Sequence, residues 1–291
     1  MCWGLNDYGQ STPPAGTFTQ ISAGVAHTCG LQSNGTAACW GDNTYGQATP
    51  PTGTFTQISG GSAHTCGLQS DGTVVCWGDN SFGQITPPVG IFTQVSAGGA
   101  HTCGSNINGT LVCWGDNGYG QSTPPAGTFT QVSAGAYHTC GLQNDGTVIC
   151  WGDNGDGQAT TPAGNFGQRR VSAGNYLTCG LQTDSTLVCW GNNNYGQATP
   201  PIGTFTQVTA DVYHTCGIKS DGTVACWGLN DHGQASPPAG TFIQVSGGSY
   251  YTCGLKSDGT LACWGFDDYG QARRRPGLSP RLVVGGCMPA G

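Results

Sequence analysis

One hairpin-sized unit, repeated at a fixed interval, limits what this chain can fold into. In residues 64–84 it reads H-T-C-G-L-Q-S-D-G-T-V-V-C-W-G-D-N-S-F-G-Q, with a cysteine on each arm. Cysteines in the T-C-G context fall at Cys29, Cys66, Cys103, Cys140, Cys179, Cys216 and Cys253. Those in the C-W-G context fall at Cys2, Cys39, Cys76, Cys113, Cys150, Cys189, Cys226 and Cys263. The interval is 37 residues, apart from one step of 39 after Cys140 and Cys150. A fixed period of this size belongs to solenoids, propellers and arrays, where one supersecondary unit stacks on copies of itself.

A single repeat spells out three strands. Residues 53–59 (G-T-F-T-Q-I-S) are β-branched and aromatic, and read as a first strand ended by Gly60-Gly61. Residues 64–68 form a second strand. Ser70-Asp71-Gly72 is a three-residue turn with glycine where a positive φ is needed. Residues 73–77 return as the third strand, and a long connection stiffened by Pro87-Pro88 follows. The turn also fixes the register, placing Leu68 opposite Val74 and Cys66 opposite Cys76. Directly opposed residues in an antiparallel pair have Cβ atoms about 4.5–5.5 Å apart, within a modest adjustment of disulfide distance. Each hairpin is therefore expected to carry its own bridge: Cys29–Cys39, Cys66–Cys76, Cys103–Cys113, Cys140–Cys150, Cys179–Cys189, Cys216–Cys226 and Cys253–Cys263.

The third strand shows no polar alternation: Val74-Val75, Leu111-Val112 and Val148-Ile149 are apolar on both faces. A strand buried on both faces belongs to a sheet packed between two others. Three strands per repeat in seven repeats give an all-β, seven-bladed β-propeller with small, mainly three-stranded antiparallel blades. Residues 1–272 are expected to form this one domain. Residues 273–291 form an irregular tail with a ring-closing strand in it as one option.

Composition narrows the function classes. Gly 52 and Pro 16 recur at fixed repeat positions, so they punctuate turns rather than signal disorder. Only 8% of residues are charged, and the net charge is -7. Nucleic-acid binding needs clustered Lys and Arg, and the one basic run, Arg273-Arg274-Arg275, lies in the tail. Sixteen cysteines at regular spacing, without a C-x-x-C zinc signature, point to an oxidising compartment and a secreted or cell-surface location. The sequence shows no transmembrane run or signal peptide. Because Met1 leads straight into Cys2-Trp3-Gly4, the chain reads as a segment of a longer secreted product whose export signal is lost.

The in-phase elements G-x-x-H-[TS]-x-x-L, D-G-T-V and W-G-x-N-x-x-G-Q make the repeat resemble the regulator-of-chromosome-condensation repeat family, over residues 2–271. The resemblance implies a seven-bladed propeller. The short period and the P-P connection look closer to the β-lactamase-inhibitor protein of the same superfamily, which has three-stranded blades. The cysteine-bearing form is similar to secreted bacterial members. Activity does not follow, because the family includes an exchange factor, a light sensor and an enzyme inhibitor. The light-sensor members depend on extra tryptophans, whereas each of the eight here is the repeat's own.

Four groups of residues are candidates for chemistry. His27, His64, His101, His138 and His214 share one repeat position, which is Leu177 in the fifth repeat and Tyr251 in the seventh. A ring of imidazoles suggests a metal, but Leu177 breaks the ring, and the resemblance implies a blade-locking hydrogen bond instead. No metal or cofactor is expected. Asp42, Asp79, Asp116 and Asp153 follow W-G, and turn chemistry accounts for Asp71, Asp145, Asp184, Asp221 and Asp258. Asp153-Asn154-Gly155-Asp156-Gly157 lacks the ligand pattern and terminal Glu of a calcium loop. No nucleophile-and-base arrangement or phosphate loop stands out, so no enzyme is expected.

The aromatics before G-Q are the fourth group: Tyr8, Tyr45, Phe82, Tyr119, Tyr195 and Tyr269, with His232 and Asp156 as variants. Two readings stand. They line one face of the disc for an unknown protein or glycan partner, or each packs on the Pro-Pro of the adjacent blade. The ends leave a choice as well. Cys2 and Cys287 bond and close the ring, the segment was cut from a longer array, or the ends pair between subunits in a fibre. Asn34-Gly35-Thr36 and Asn108-Gly109-Thr110 match the glycosylation sequon but sit in hairpin turns. The sequence thus predicts a secreted, non-catalytic binding propeller, with a structural or adhesive element as the alternative. It predicts neither nucleic-acid binding nor membrane insertion.

Overall fold

The computed structural model describes residues 13–265, apart from the side chains of residues 168–170. Every regular element among them is a β-strand, and the strands form seven three-stranded antiparallel sheets, each in the order inner, middle, outer along the chain. Blade 1 is Phe18–Ala23, His27–Gln32 and Ala37–Gly41. Blade 7 is Phe242–Gly247, Tyr251–Lys256 and Leu261–Gly265. The seven-bladed β-propeller read from the repeat is the observed architecture.

Hairpin chemistry sets each blade. In the second repeat Gly72 takes φ +84°, and the Thr73 amide and hydroxyl both donate to Asp71 Oδ1, at 2.9 and 2.7 Å. That turn pairs Leu68 with Val74 and Cys66 with Cys76. The same register recurs in every blade, and all seven hairpins carry the expected bridge, with Cα–Cα distances of 4.0 to 4.1 Å. The two extra residues of the longer step fall within the inner strand of blade 5, Phe166–Ala173. Phe166 still pairs Gln182 and Val171 still pairs Gly180, so the excess is absorbed as a bulge between them.

The expectation for the third strand needs correcting. The strand buried on both faces is the middle one, where His64–Leu68 is buried at every position. The outer strand leaves Val75 and Cys76 half-exposed. Blades diverge outward from the axis, so packing is tightest near the inner and middle strands, and the apolar outer strand is covered only in part.

Between blades the contacts are periodic. Cys66, Leu68 and Val74 of blade 2 pack against Phe92, Val95 and Trp114 of blade 3. Glycine at the centre of the middle strand makes room for the phenylalanine of its own blade: a Cβ on Gly67 would overlap the Phe55 ring. Polar side chains join the inner strands. Gln20 Nε2 donates to the Ile58 carbonyl, Gln20 Oε1 accepts from the Ile58 amide, both at 3.0 Å, and Ser22 Oγ accepts from the Gly60 amide. The same set joins blade 7 to blade 1, where Gln244 exchanges hydrogen bonds with Ile21 at 2.8 and 2.9 Å and Ser246 Oγ accepts from Ala23. Phe18, Ile21 and Trp40 of blade 1 also pack with Tyr251, Cys253 and Leu255 of blade 7. The ring is therefore closed by direct contact of its first and seventh blades. Cys2, Cys287 and the tail 273–291 lie outside the described residues, as does any pairing of the ends.

Candidate functional site

One end of the disc is built from the segment after each outer strand. In the first repeat Asp42 Oδ1 accepts from the Thr44 amide and hydroxyl, and Asp42 Oδ2 accepts from Gln47 Nε2 at 2.9 Å. Gln47 Oε1 accepts from the Tyr45 amide. The carbonyl of Gln47 then reaches blade 2, where it accepts from Trp77 Nε1 at 2.9 Å and from Thr65 Oγ1 at 3.2 Å. The W-G-D-N-x-x-G-Q segment is thus a clamp between blades, and six of the tryptophans bond this way to the preceding blade. In blade 6 Leu229 replaces the aspartate, and Gln234 Nε2 is left buried without an acceptor.

The histidines complete the same lock. His27 Nε2 lies 2.8 Å from Thr65 Oγ1, and His64, His101, His138 and His214 meet Thr102, Thr139, Thr178 and Thr252 in the same way. The Thr65 hydroxyl is spent on the Gln47 carbonyl, so His27 must donate through Nε2–H, which leaves Nδ1 unprotonated and unpaired. Burial lowers the ring pKa values to about 4 for His27 and His101 and about 3 for His64, His138 and His214. The rings are neutral spacers at five of the seven interfaces. Leu177 has no such bond to make, and in blade 7 the Tyr251 hydroxyl donates to the His27 carbonyl at 2.7 Å. Among the described residues no group of three or more His, Cys, Asp or Glu is arranged to hold a metal ion.

With its backbone committed to the clamp, the loop holds its aromatic side chain outward. Tyr45, Phe82, Tyr119 and Tyr195 are between 51% and 59% exposed. Packing against Pro-Pro does not cover them. Tyr8 and Tyr269 lie outside the described residues.

A second aromatic set, which the sequence reading overlooked, stands beside the first. The residue before the repeat histidine is Ala26, Ala63 and Ala100 in blades 1 to 3, but Tyr137, Tyr176, Tyr213 and Tyr250 in blades 4 to 7. Tyr119 meets Tyr137 edge-on at 5.6 Å, and Tyr137 lies 6.0 Å from Tyr176. Tyr195 meets Tyr213 at 5.8 Å, Tyr213 stacks on Tyr250 at 5.0 Å, and His232 meets Tyr250 at 5.6 Å. Burial first, then the neighbouring Tyr137, Tyr213, Asp156 and Asp153, raise the Tyr176 pKa. The hydrogen bond with Tyr213 heads the causes that push Tyr250 up to about 12. Tyr176 and Tyr250 are therefore uncharged at neutral pH. The result is an aromatic arc over half the face, and the switch from alanine to tyrosine at one repeat position was the signal for it.

Inside the arc the axis opens into a cavity of about 180 Å³, walled by small turn residues and by Asp211. Asp211 stands where the six other blades have Gly24, Gly61, Gly98, Gly135, Gly174 and Gly248. Its carboxyl fills the space of a missing side chain at Gly247 in the next blade. Burial pushes its pKa well up and that of His214 down, so burial disfavours the charged form of both groups where they approach at 3.6 Å.

Comparison with known proteins fits this geometry. The Regulator of chromosome condensation (RCC1) repeat matches seven times, over residues 18–47, 55–84, 92–121, 129–158, 169–197, 205–234 and 242–271. Among solved structures, the chain is similar to the CRINKLY ectodomain of the Arabidopsis thaliana receptor kinase ACR4. The two are 28% identical with a TM-score of 0.73, covering 86% of this chain and 96% of that one. The ectodomain of the Physcomitrella patens receptor kinase CR4 is 26% identical with a TM-score of 0.73, over 86% of this chain and 74% of that one. Likeness to Prp20p from Saccharomyces cerevisiae, 18% identical with a TM-score of 0.63 over 73% and 72% of the two chains, concerns the fold alone. No curated protein matches the chain.

Proposed function

The chain belongs to the Regulator of chromosome condensation (RCC1) repeat family, and from that premise we propose that it is a secreted, non-catalytic recognition module. Its binding face is the loop end of the propeller, and its partner is a protein. The observation that carries this reading is the aromatic arc. Tyr137, Tyr176, Tyr213 and Tyr250 are not needed for the histidine–threonine locks, which blades 1 to 3 make with alanine at that position. Large aromatics grouped at a surface are characteristic anchors of protein interfaces. Seven disulfides fit an oxidising compartment. The receptor-kinase ectodomains among the similar structures support an extracellular setting.

The test is site-directed photo-crosslinking in the extracellular fraction that holds the protein. A photoreactive phenylalanine at Tyr195 should give discrete protein adducts, and one at Asp184, in a hairpin turn at the other end, should give none. The adducts should vanish when the four arc tyrosines are changed to alanine. Adducts from Asp184 alone, or adducts from Tyr195 that survive the four changes, would refute the assignment of the face.

A further inference from the structure

The two ends of the disc differ in charge as well as in aromatic content. Asp42, Asp79, Asp116, Asp153, Asp156 and Asp231 all belong to the loop end, in the segments that follow the outer strands. No described Lys or Arg accompanies them. Lys219 and Lys256 end middle strands at the hairpin end, and Arg169 and Arg170 lie within the inner strand of blade 5. Two of the loop carboxylates, Asp153 and Asp156, act directly on Tyr176, and Asp231 adjoins His232, whose ring meets Tyr250. An aromatic surface rimmed by carboxylates, with no cation among its described residues, attracts positive charge in two ways. The ring faces bind ammonium or guanidinium groups, and the carboxylates supply Coulombic attraction and charge-assisted hydrogen bonds. It is a poor seat for an anionic ligand, because no described basic side chain at this end meets the charge.

We infer that the arc formed by Tyr137, Tyr176, Tyr213 and Tyr250, with Asp153, Asp156 and Asp231 beside it, docks an extended segment of a partner protein through Arg or Lys side chains. The inference rests on the loop end being the recognition face and adds the chemistry of the partner. Successive blades offer one tyrosine each, so the segment lies along the arc and places its cations over successive rings. Acidic carboxylates also predict faster encounter and a steep dependence on salt.

The experiment uses the disulfide-bonded protein and three probes: a nine-residue Gly/Ser peptide carrying four spaced arginines, the same peptide with citrulline for arginine, and a neutral chitohexaose. Fluorescence anisotropy or calorimetry reads the affinity. Citrulline keeps the shape and donors of arginine but removes the charge, so it should bind at least tenfold more weakly. Affinity for the arginine peptide should fall at least tenfold between 50 and 500 mM salt. The pair Tyr213→Ala and Tyr250→Ala should weaken it tenfold or more, with Tyr213→Phe and Tyr250→Phe restoring it. Asp156→Asn and Asp231→Asn should each weaken it severalfold, whereas the hairpin-end Asp184→Asn should change it less than twofold. Equal binding of the arginine and citrulline peptides, or binding of chitohexaose alone through Tyr213 and Tyr250, would overturn the cationic partner while leaving the face intact. A loss with Asp184→Asn as large as that with Asp156→Asn would reduce the effect to net charge and overturn the site. Concentration-dependent self-association that the arginine peptide competes away would place the cations on a second copy of this chain, and would overturn a foreign partner.

Discussion

At the scale of single residues, the repeat explains itself best where one copy breaks the rule. Six described hairpin turns place glycine in the left-handed region, while Ser185 takes φ 68° in the fifth. A side chain there costs conformational energy that glycine avoids, partly offset by the greater freedom of glycine in the unfolded chain. Ser185→Gly is therefore expected to raise stability by about 0.5–1 kcal/mol, read as a shift in urea midpoint at unchanged slope. Leu229 is a second break, and it leaves Gln234 Nε2 unpaired where the other described loops supply an aspartate or Asn192. Asp211 is a third, and it comes with its own compensation: the residue it displaces in the next blade is Gly247 rather than alanine.

At the scale of the blade, the hairpin is the independent unit. Its register follows from the three-residue turn, and the turn brings the cysteines opposite each other before any neighbouring blade is present. A bridge across so short a loop restricts the unfolded chain, and its removal by paired Cys→Ala substitution should cost about 2–3 kcal/mol. Cys103 and Cys113 are the pair to change, since blade 3 has standard neighbours on both sides. Denaturant unfolding checks the value, and a loss below 1 kcal/mol would mean that packing with Phe129 and Val132, not the bridge, holds that interface. The inner strand shows what a hairpin lacks. Its Gln and Ser side chains bond to the next blade, so a lone repeat leaves them without partners.

At the scale of the whole ring, the five buried histidines act together. Their folded-state pKa values of about 3 to 4 lie below the unfolded value, so the unfolded chain binds more protons between these limits. This contribution to stability is complete above about pH 6.5 and is lost as pH falls through the folded values. Asp211, whose pKa is raised, works in the opposite direction: its contribution is present at low pH and is lost as pH rises. Near pH 5 the five histidines give a net uptake of about four to five protons on unfolding, because one carboxyl offsets at most one of them, a slope of about 5–6 kcal/mol per pH unit. Potentiometric difference titration or calorimetry in buffers of different ionisation enthalpy measures that uptake. His101→Leu, which copies the natural Leu177, should lower it by about one proton.

What this sequence determined by itself was everything local to one repeat: three strands, the turn, the register and the seven bridges. These follow from contacts within about ten residues, where turn geometry and strand alternation leave few choices. The blade count came from the same source, because a period can be counted. Reading apolar residues alone, however, assigned double burial to the outer strand, when the middle strand holds it; hydrophobicity does not report distance from the axis. The two readings of the loop aromatics were also undecided by sequence; in the fold the Gln47 carbonyl is spent on Trp77 and Thr65 of the next blade, and Tyr45 is left exposed. Tyr137, Tyr176, Tyr213 and Tyr250 sit one repeat apart in sequence, and only the curvature of the ring sets Tyr137 against Tyr176 and Tyr213 against Tyr250. Closure itself joins Ile21 to Gln244 across a separation of 223 residues. No repeat encodes that contact; it arises because seven blades of this wedge angle complete a circle.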